Sequence, residues 1–254
     1  ADLADVVEDG APVIGNVLAN DSDPDAGQIL SITDPAALAG QYGQLTLNED
    51  GSYIYVLDST LDAVQSLGRD STLAEQFGYT VQDNATAPET ADGTLTLTIQ
   101  GANDAPVAGA DSAAIDEDAL TPASGNVLSN DSDADAGTVL QVINAGEMFG
   151  TYGALRLNSD GGYSYALNNA SAAVQGLRAG QEVSERFGYQ VGDGVAAANA
   201  DLVVRITGLN DAPVVSAPVE DQNGKELQAF RLALSAATFS DVDQGDSLSY
   251  SAFL

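Results

Sequence analysis

Apolar and polar residues alternate along this chain in short runs separated by turn-forming residues. Leu45 and Leu47 flank Thr46, a turn follows at Asn48-Glu49-Asp50-Gly51, and Tyr53, Tyr55 and Leu57 then share one face. A period of two is the signature of a half-buried strand. Two such runs around a glycine-bearing turn predict a hairpin, with Gly51 taking a positive φ. Phe77, Tyr79 and Val81 predict another strand, and Leu95, Leu97 and Ile99, with threonines between them, a third. Between these runs Val64 and Leu67 stand three apart, the spacing of a single helical turn. About seven short strands in roughly 105 residues, with turn signals between them, read as an immunoglobulin-like β-sandwich.

The pattern occurs twice. Gly15-Asn16-Val17-Leu18-Ala19-Asn20-Asp21-Ser22-Asp23 returns as Gly125-Asn126-Val127-Leu128-Ser129-Asn130-Asp131-Ser132-Asp133. The same offset of 110 places Tyr53 and Tyr55 on Tyr163 and Tyr165, Phe77-Gly78-Tyr79 on Phe187-Gly188-Tyr189, and Val64 and Leu67 on Val174 and Leu177. It slips by three where Gly101-Ala102-Asn103-Asp104-Ala105-Pro106 meets Gly208-Leu209-Asn210-Asp211-Ala212-Pro213. The expected organisation is one sandwich over 1–104, a second over 105–211, and the start of a related third unit over 212–254. Asp241-Val242-Asp243-Gln244-Gly245 in that third segment lines up on Asp23-Pro24-Asp25-Ala26-Gly27. Forty-three residues cannot bury a full sandwich core, so the third unit is expected to stop after about three strands and to be partly ordered, or completed by another chain.

Composition narrows the chemistry. There are 38 acidic and 7 basic side chains, a formal net charge of −31, and neither His nor Cys. That excludes a Ser-His-Asp triad, a thiol nucleophile, and zinc or haem held by the usual ligands. So acidic a chain is repelled by nucleic acid phosphate and by anionic membrane surfaces, and no apolar run approaches the ~18 residues of a membrane span. The chain opens at Ala1 with no signal-like segment, which reads as a piece of something longer. Cations are its natural partners.

The acid is concentrated at particular places. Asp21, Asp23 and Asp25 follow the second expected strand, and Asp131, Asp133 and Asp135 repeat them. Carboxylates two apart in a bent loop can converge on one hard cation, and Ca²⁺ takes 6–8 oxygen ligands. The loop is not an EF-hand, because Ala26 stands where the turn glycine belongs and Ile32 where the bidentate Glu belongs. The plainer reading is that Asn-Asp-Ser-Asp is good turn chemistry without any metal. The junctions Asn103-Asp104-Ala105-Pro106 and Asn210-Asp211-Ala212-Pro213 form a second concentration. They read as stiff linkers, since Pro holds its predecessor extended, or as cation ligands. In a sandwich of this type the loops after the second and the penultimate strand lie at the end where the chain enters. Asp131, Asp133, Asp135 and Asp193 are therefore expected to face Asn103 and Asp104. Such a group of carboxylates is tolerable only with a divalent cation among them.

The units resemble VCBS repeats, the cadherin-like modules of large bacterial surface adhesins. The resemblance rests on Gly43-Gln44-Leu45-Thr46-Leu47 with Asp50-Gly51-Ser52-Tyr53, on Val174-Gln175-Gly176-Leu177-Arg178-Ala179-Gly180, on Phe187-Gly188-Tyr189-Gln190-Val191-Gly192-Asp193, and on Ile206-Thr207-Gly208-Leu209-Asn210-Asp211-Ala212-Pro213. The tail, with Phe239-Ser240-Asp241-Val242-Asp243 and Leu248-Ser249-Tyr250, resembles a dystroglycan-type cadherin-like domain. The resemblance implies tandem immunoglobulin-like and cadherin-like β-sandwiches in an elongated array. It also implies a ligand set for Ca²⁺: Glu8, Asn103 and Asp104 with Asp133, Asp135 and Asp193 at the first joint, and Glu117, Asn210 and Asp211 with Asp241 and Asp243 at the second. Asp21, Asp23, Asp25 and Asp83 form the corresponding set of the first repeat, without an upstream partner. The linker lacks the second Asn of the cadherin form and no clear Asp-Arg-Glu element is present, which implies fewer ions per joint.

The function so implied is a non-enzymatic, calcium-stiffened spacer of a secreted bacterial cell-surface adhesin involved in cell adhesion and biofilm formation. Its partners would be calcium ions and the neighbouring repeats of the same chain, the piece itself being a monomer. The alternative is a carbohydrate-binding module built on Tyr53/Tyr55 and Tyr163/Tyr165, although the alternation of the second pair with Ser and Ala points to a core. An enzyme using paired carboxylates, as glycosidases do, lacks a His, Lys or Arg beside any pair to tune a proton.

Overall fold

The computed structural model describes residues 1–25 and 27–251. They fall into two compact units: unit 1 is Ala1–Pro106 with Ser132–Val139 and Asp193–Ala197, and unit 2 is Val107–Asp131, Leu140–Gly192 and the chain from Ala198 onward. Ala26, set above against the glycine of an EF-hand loop, lies outside the described residues.

Unit 1 contains β1 (Asp2–Val7), β2 (Val13–Asn16), β3 (Ser31–Ile32), β4 (Ala36–Ala39), β5 (Gly43–Leu47), β6 (Ser52–Leu57), helix α1 (Asp62–Gln65), β7 (Thr72–Gln82) and β8 (Thr90–Gln100). They make two four-stranded sheets, β1-β8-β7-β3 and β2-β6-β5-β4. β1 runs parallel to β8, and the other pairs are antiparallel. Eight strands stand against the seven or so expected. Those that alternation does not announce are β3, two residues long, and β4, whose Ala-Ala-Leu-Ala shows no polar face. The predicted hairpin is β5–β6, and Gly51 has φ +78° at its turn, a conformation in which only glycine is free of a Cβ penalty.

The core lies between the sheets. Leu95, Leu97 and Ile99 are fully buried on β8, and Tyr55 on β6 meets Phe77 on β7 edge-on at 6.0 Å between ring centroids. Full burial of each such aliphatic side chain stabilises by about 1.5–3 kcal/mol. Tyr53 and Tyr55 are buried, as are Tyr165 and, in part, Tyr163. These rings are core, as their alternation indicates, and the platform reading of them is overturned. The Tyr55 hydroxyl donates to Glu75 Oε2 (2.6 Å), whose other oxygen accepts from the amides of Gln41 and Tyr42. This carboxylate fastens the β4–β5 turn to β7.

Unit 2 repeats the plan with β9 (Asp111–Asp116), β10 (Ala123–Asn126), β11 (Gln141–Val142), β12 (Gly146–Phe149), β13 (Gly153–Leu157), β14 (Gly162–Leu167), helix α2 (Ala172–Gln175), β15 (Glu182–Gly192) and β16 (Ala197–Thr207). The sheets are β11-β15-β16-β9 and β10-β14-β13-β12. Tyr165 donates to Glu185, which also accepts from the Thr151 and Tyr152 amides. Both single-turn helices lie where the Val/Leu spacing places them, with Val64 and Val174 fully buried. The third segment forms β17 (Val214–Val215) and β18 (Phe239–Ser240), an antiparallel pair of two-residue strands, where about three strands were expected. Residues 212–237 are exposed throughout, because this stretch has no second apolar face to pack against.

Candidate metal centres

Local chemistry shapes all three Asp-x-Asp loops alike. The Asp25 amide donates to Asp23 Oδ1 (2.7 Å), the Asp135 amide to Asp133 Oδ1 (2.9 Å), and the Asp243 amide to Asp241 Oδ1 (3.1 Å). An aspartate capping the amide two residues on is the Asx-turn, formed from short-range contacts alone. Gly27, Gly137 and Gly245 follow, each at φ between +82° and +87°, and turn the chain back.

The first cluster lies in unit 1. Glu8, just after β1, is 2% exposed, and its Oε2 accepts from the Ala102 amide at 3.0 Å. The Asp104 amide donates to Asp135 Oδ2 (3.1 Å), and Asn103 Nδ2 donates to Asp193 Oδ2 (2.9 Å). The Ala136 amide donates to the Ser66 carbonyl, which closes α1, at 3.1 Å. Glu8, Asn103, Asp104, Asp133, Asp135 and Asp193 are thus gathered within one unit. Burial, then the charges of Asp104, Asp9 and Asp135, push the Glu8 carboxyl above its ordinary range. Burial, then Asp135, Asp9 and Asp133, do the same to Asp104. Asp193 is held below that range: burial opposes it, but donors from Asn103, Val195 and Ala196 outweigh burial.

The second cluster lies in unit 2 and follows the same scheme. Glu117 is 1% exposed and accepts from the Leu209 amide (2.9 Å), and the Asp211 amide donates to Asp243 Oδ2 (3.0 Å). Glu117 and Asp211 are pushed up, chiefly by burial and then by neighbouring aspartates. Asn210 donates to the Asp211 carbonyl, as Asn103 does to that of Asp104. Oxygen atoms of Asp241, Asp243 and Asp246 lie within 4.8 Å of one another.

Asp131 stands apart from its neighbours in sequence. It belongs to unit 2, where its Oδ1 accepts from the Gly109 amide (2.7 Å) and burial raises its pKa. Asp21, Asp23, Asp25 and Asp83 line an open cleft of about 470 Å³ in unit 1 with Glu89 and Asp92. Three acids escaped the motif reading. Asp9 and Asp118 raise the pKa of the glutamates they follow, and accept from Gln65 and Gln175. The signal was the repeated Glu-Asp pair that follows β1 and β9. Asp246 has no counterpart in the other loops, where Gln28 and Thr138 align with it.

The donor set fits a hard divalent cation. Among the described residues, eight buried side-chain oxygens have no hydrogen-bond donor. Seven are carboxylate oxygens of these loops: Asp104, Glu117, Asp131, Asp133, Asp135, Asp211 and Asp243. A buried carboxylate oxygen without a partner is costly. The two ion pairs among the described residues, Arg186–Asp201 and Arg205–Glu182, involve neither cluster. Oxygen-only ligands at variable angles suit Ca²⁺ better than the smaller Mg²⁺.

The chain belongs to the bacterial cadherin-like domain family, whose model matches it twice, over residues 1–101 and 103–208. A relative in Rhizobium johnstonii, calcium-binding lectin RapA2, is 29% identical over 225 residues, 77% of this chain and 90% of that protein. Mouse cadherin-23 EC22-24 is similar in structure, at 18% identity and a TM-score of 0.51 over 85% of this chain and 67% of that one. Human CDH23 EC21-23 gives 17% identity and the same TM-score over 96% of this chain and 84% of its own. At these identities the cadherin likeness establishes the fold alone.

Proposed function

We propose that this chain is a calcium-binding, non-catalytic segment of a bacterial surface adhesin, in which Ca²⁺ fixes each repeat to the next. The observation that carries this reading is the first cluster. Glu8, Asn103 and Asp104 from the first sequence repeat meet Asp133, Asp135 and Asp193 from the second, with orphaned oxygens on Asp104, Asp133 and Asp135. Two carboxylates 4 Å apart repel by about 4 kcal/mol at an effective dielectric of 20. A divalent cation would turn this repulsion into cross-linking. Glu117, Asn210, Asp211, Asp241 and Asp243 would act likewise at the second cluster, while Asp21, Asp23, Asp25 and Asp83 would serve a preceding repeat. The finer assignment is two VCBS-type repeats, 1–104 and 105–211, and the beginning of a dystroglycan-type domain at 212, strung in a secreted stalk that serves biofilm formation. The calcium-binding name of the 29%-identical relative supports the ion.

Calorimetry with CaCl₂ and small-angle scattering with and without EGTA test this reading. Binding in the ~10⁻⁴–10⁻³ M range typical of extracellular modules, with a longer and looser particle in EGTA, is expected. No heat and superimposable profiles would overturn it.

A second reading, carbohydrate binding at the cell surface, draws on the relative's being a lectin. With the paired tyrosines in the core, the sugar would have to meet another face. A glycan array read with and without calcium decides it: no binding on either would discard it.

A further inference from the structure

The two clusters share a backbone scheme but differ in what grips the Asp-x-Asp loop from outside. In the first, the residue after Leu67 is Gly68, and the nearest contact that a side chain there would make is Asp135 Cβ, 4.0 Å away. In the second, the equivalent residue after Leu177 is Arg178, whose Nε donates to the Gln244 carbonyl. Gly245, at φ +84°, leaves room for this guanidinium: a Cβ there would collide with Arg178 Nη2. The corresponding Gly137 has open space around it. The backbone tether is otherwise common to both, with Gln244 donating to Gly176 (3.3 Å) as Ala136 does to Ser66 (3.1 Å). The first cluster has instead Asn103 donating to Asp193, for which the described residues of the third segment have no counterpart.

We propose that Arg178 is a built-in clip that holds the Asp241–Asp246 loop without a metal, so that the second cluster keeps its geometry under chelation while the first needs an ion. A charged donor on a carbonyl is among the stronger hydrogen bonds, and this one involves no calcium ligand atom. The clip therefore works at any calcium level. Its carboxylate neighbours Asp241 and Asp243 remain free to take a cation, since the guanidinium binds the backbone and forms no ion pair with them. The contrast between the clusters rests on reading both as calcium sites; the clip itself does not.

Amide hydrogen exchange on the whole chain, in EGTA and in calcium, separates the two. In EGTA the Gln244 amide of the wild type should exchange roughly tenfold more slowly than in Arg178→Gly or Arg178→Ala, the effect of one charge-assisted hydrogen bond. The Ala136 amide should not change between variants. Calcium should slow Ala136 strongly in all three proteins, and Gln244 mainly in the variants. Arg178 is exposed, so neither substitution opens the core, and unchanged exchange on β16 confirms this. Equal Gln244 rates in wild type and variants in EGTA would overturn the clip. If that difference stands but calcium slows neither amide in any protein, the calcium reading fails and the clip remains.

Discussion

The loops 21–25 and 131–135 are the same motif in two settings. Both place three aspartates at alternate positions, and in both the middle one caps the amide of the last. Yet Asp25 is exposed, whereas Asp135 is 7% exposed with one oxygen orphaned. The difference lies upstream. Asp135 is covered by Glu8, Asp104 and the end of α1, and loop 21–25 opens on a cleft. A local turn thus presents carboxylates, but only a second segment packed over them makes a site.

The largest expected effect separates the fold from that site. Leu97→Ala, in the fully buried centre of β8, should cost about 2–5 kcal/mol. Chemical denaturation should find the same loss in EGTA and in calcium. Asp135→Ala comes next: it should remove most of the calcium-dependent stabilisation of unit 1, about 2.7 kcal/mol at a hundredfold excess over Kd, while leaving stability in EGTA unchanged or higher as repulsion falls. Thermal unfolding with and without calcium reads both.

Protons should act on the covered loop in the opposite sense to an ordinary ion pair. Glu8 and Asp104 have folded pKa values raised above their ordinary 4.5 and 3.8, so between those values and the raised ones the folded state binds more protons. In EGTA, the contribution of these two groups to stability is then greatest below the ordinary values and falls as pH rises through the raised ones. Unfolding midpoints from pH 4 to 7 should show this decline, and calcium should remove it at the upper end. The smallest effect is the control. Asp25→Ala, exposed, should stay within about 0.5 kcal/mol in either condition; a calcium-dependent loss as large as that of Asp135→Ala would abolish the contrast between the loops.

Much of the architecture was legible because it rests on short-range periodicity. Leu95, Leu97 and Ile99 announced a buried face, Asn48–Gly51 a hairpin, and Val64 and Leu67 a helical turn. β3 and β4 were not legible, being two residues and an alanine-rich run held by their neighbours' edges. Glu75 and Glu185 looked like any strand glutamate, yet each ties a turn to the core through a tyrosine. At the clusters, repetition pointed to Asp104 and Asp135 and the family resemblance to Glu8. Asp9 and Asp118 carried a signal in the repeated Glu-Asp pair, but their partners Gln65 and Gln175, like the Gln244 that Arg178 holds, are distant in sequence.

The sequence by itself determined the two-fold repeat, through self-similarity at an offset of 110, and most of the sandwich strands, the Asx-turns and the supply of carboxylates, each of which depends on residues a few positions apart. Tertiary structure alone decided which carboxylates are covered. Asp131 accepts from Gly109, Asp135 meets Asp104, and Asp25 faces an open cleft. Burial is a property of what packs over a residue. The same aspartate motif is therefore a solvated turn in one place and an oxygen-lined cluster in another.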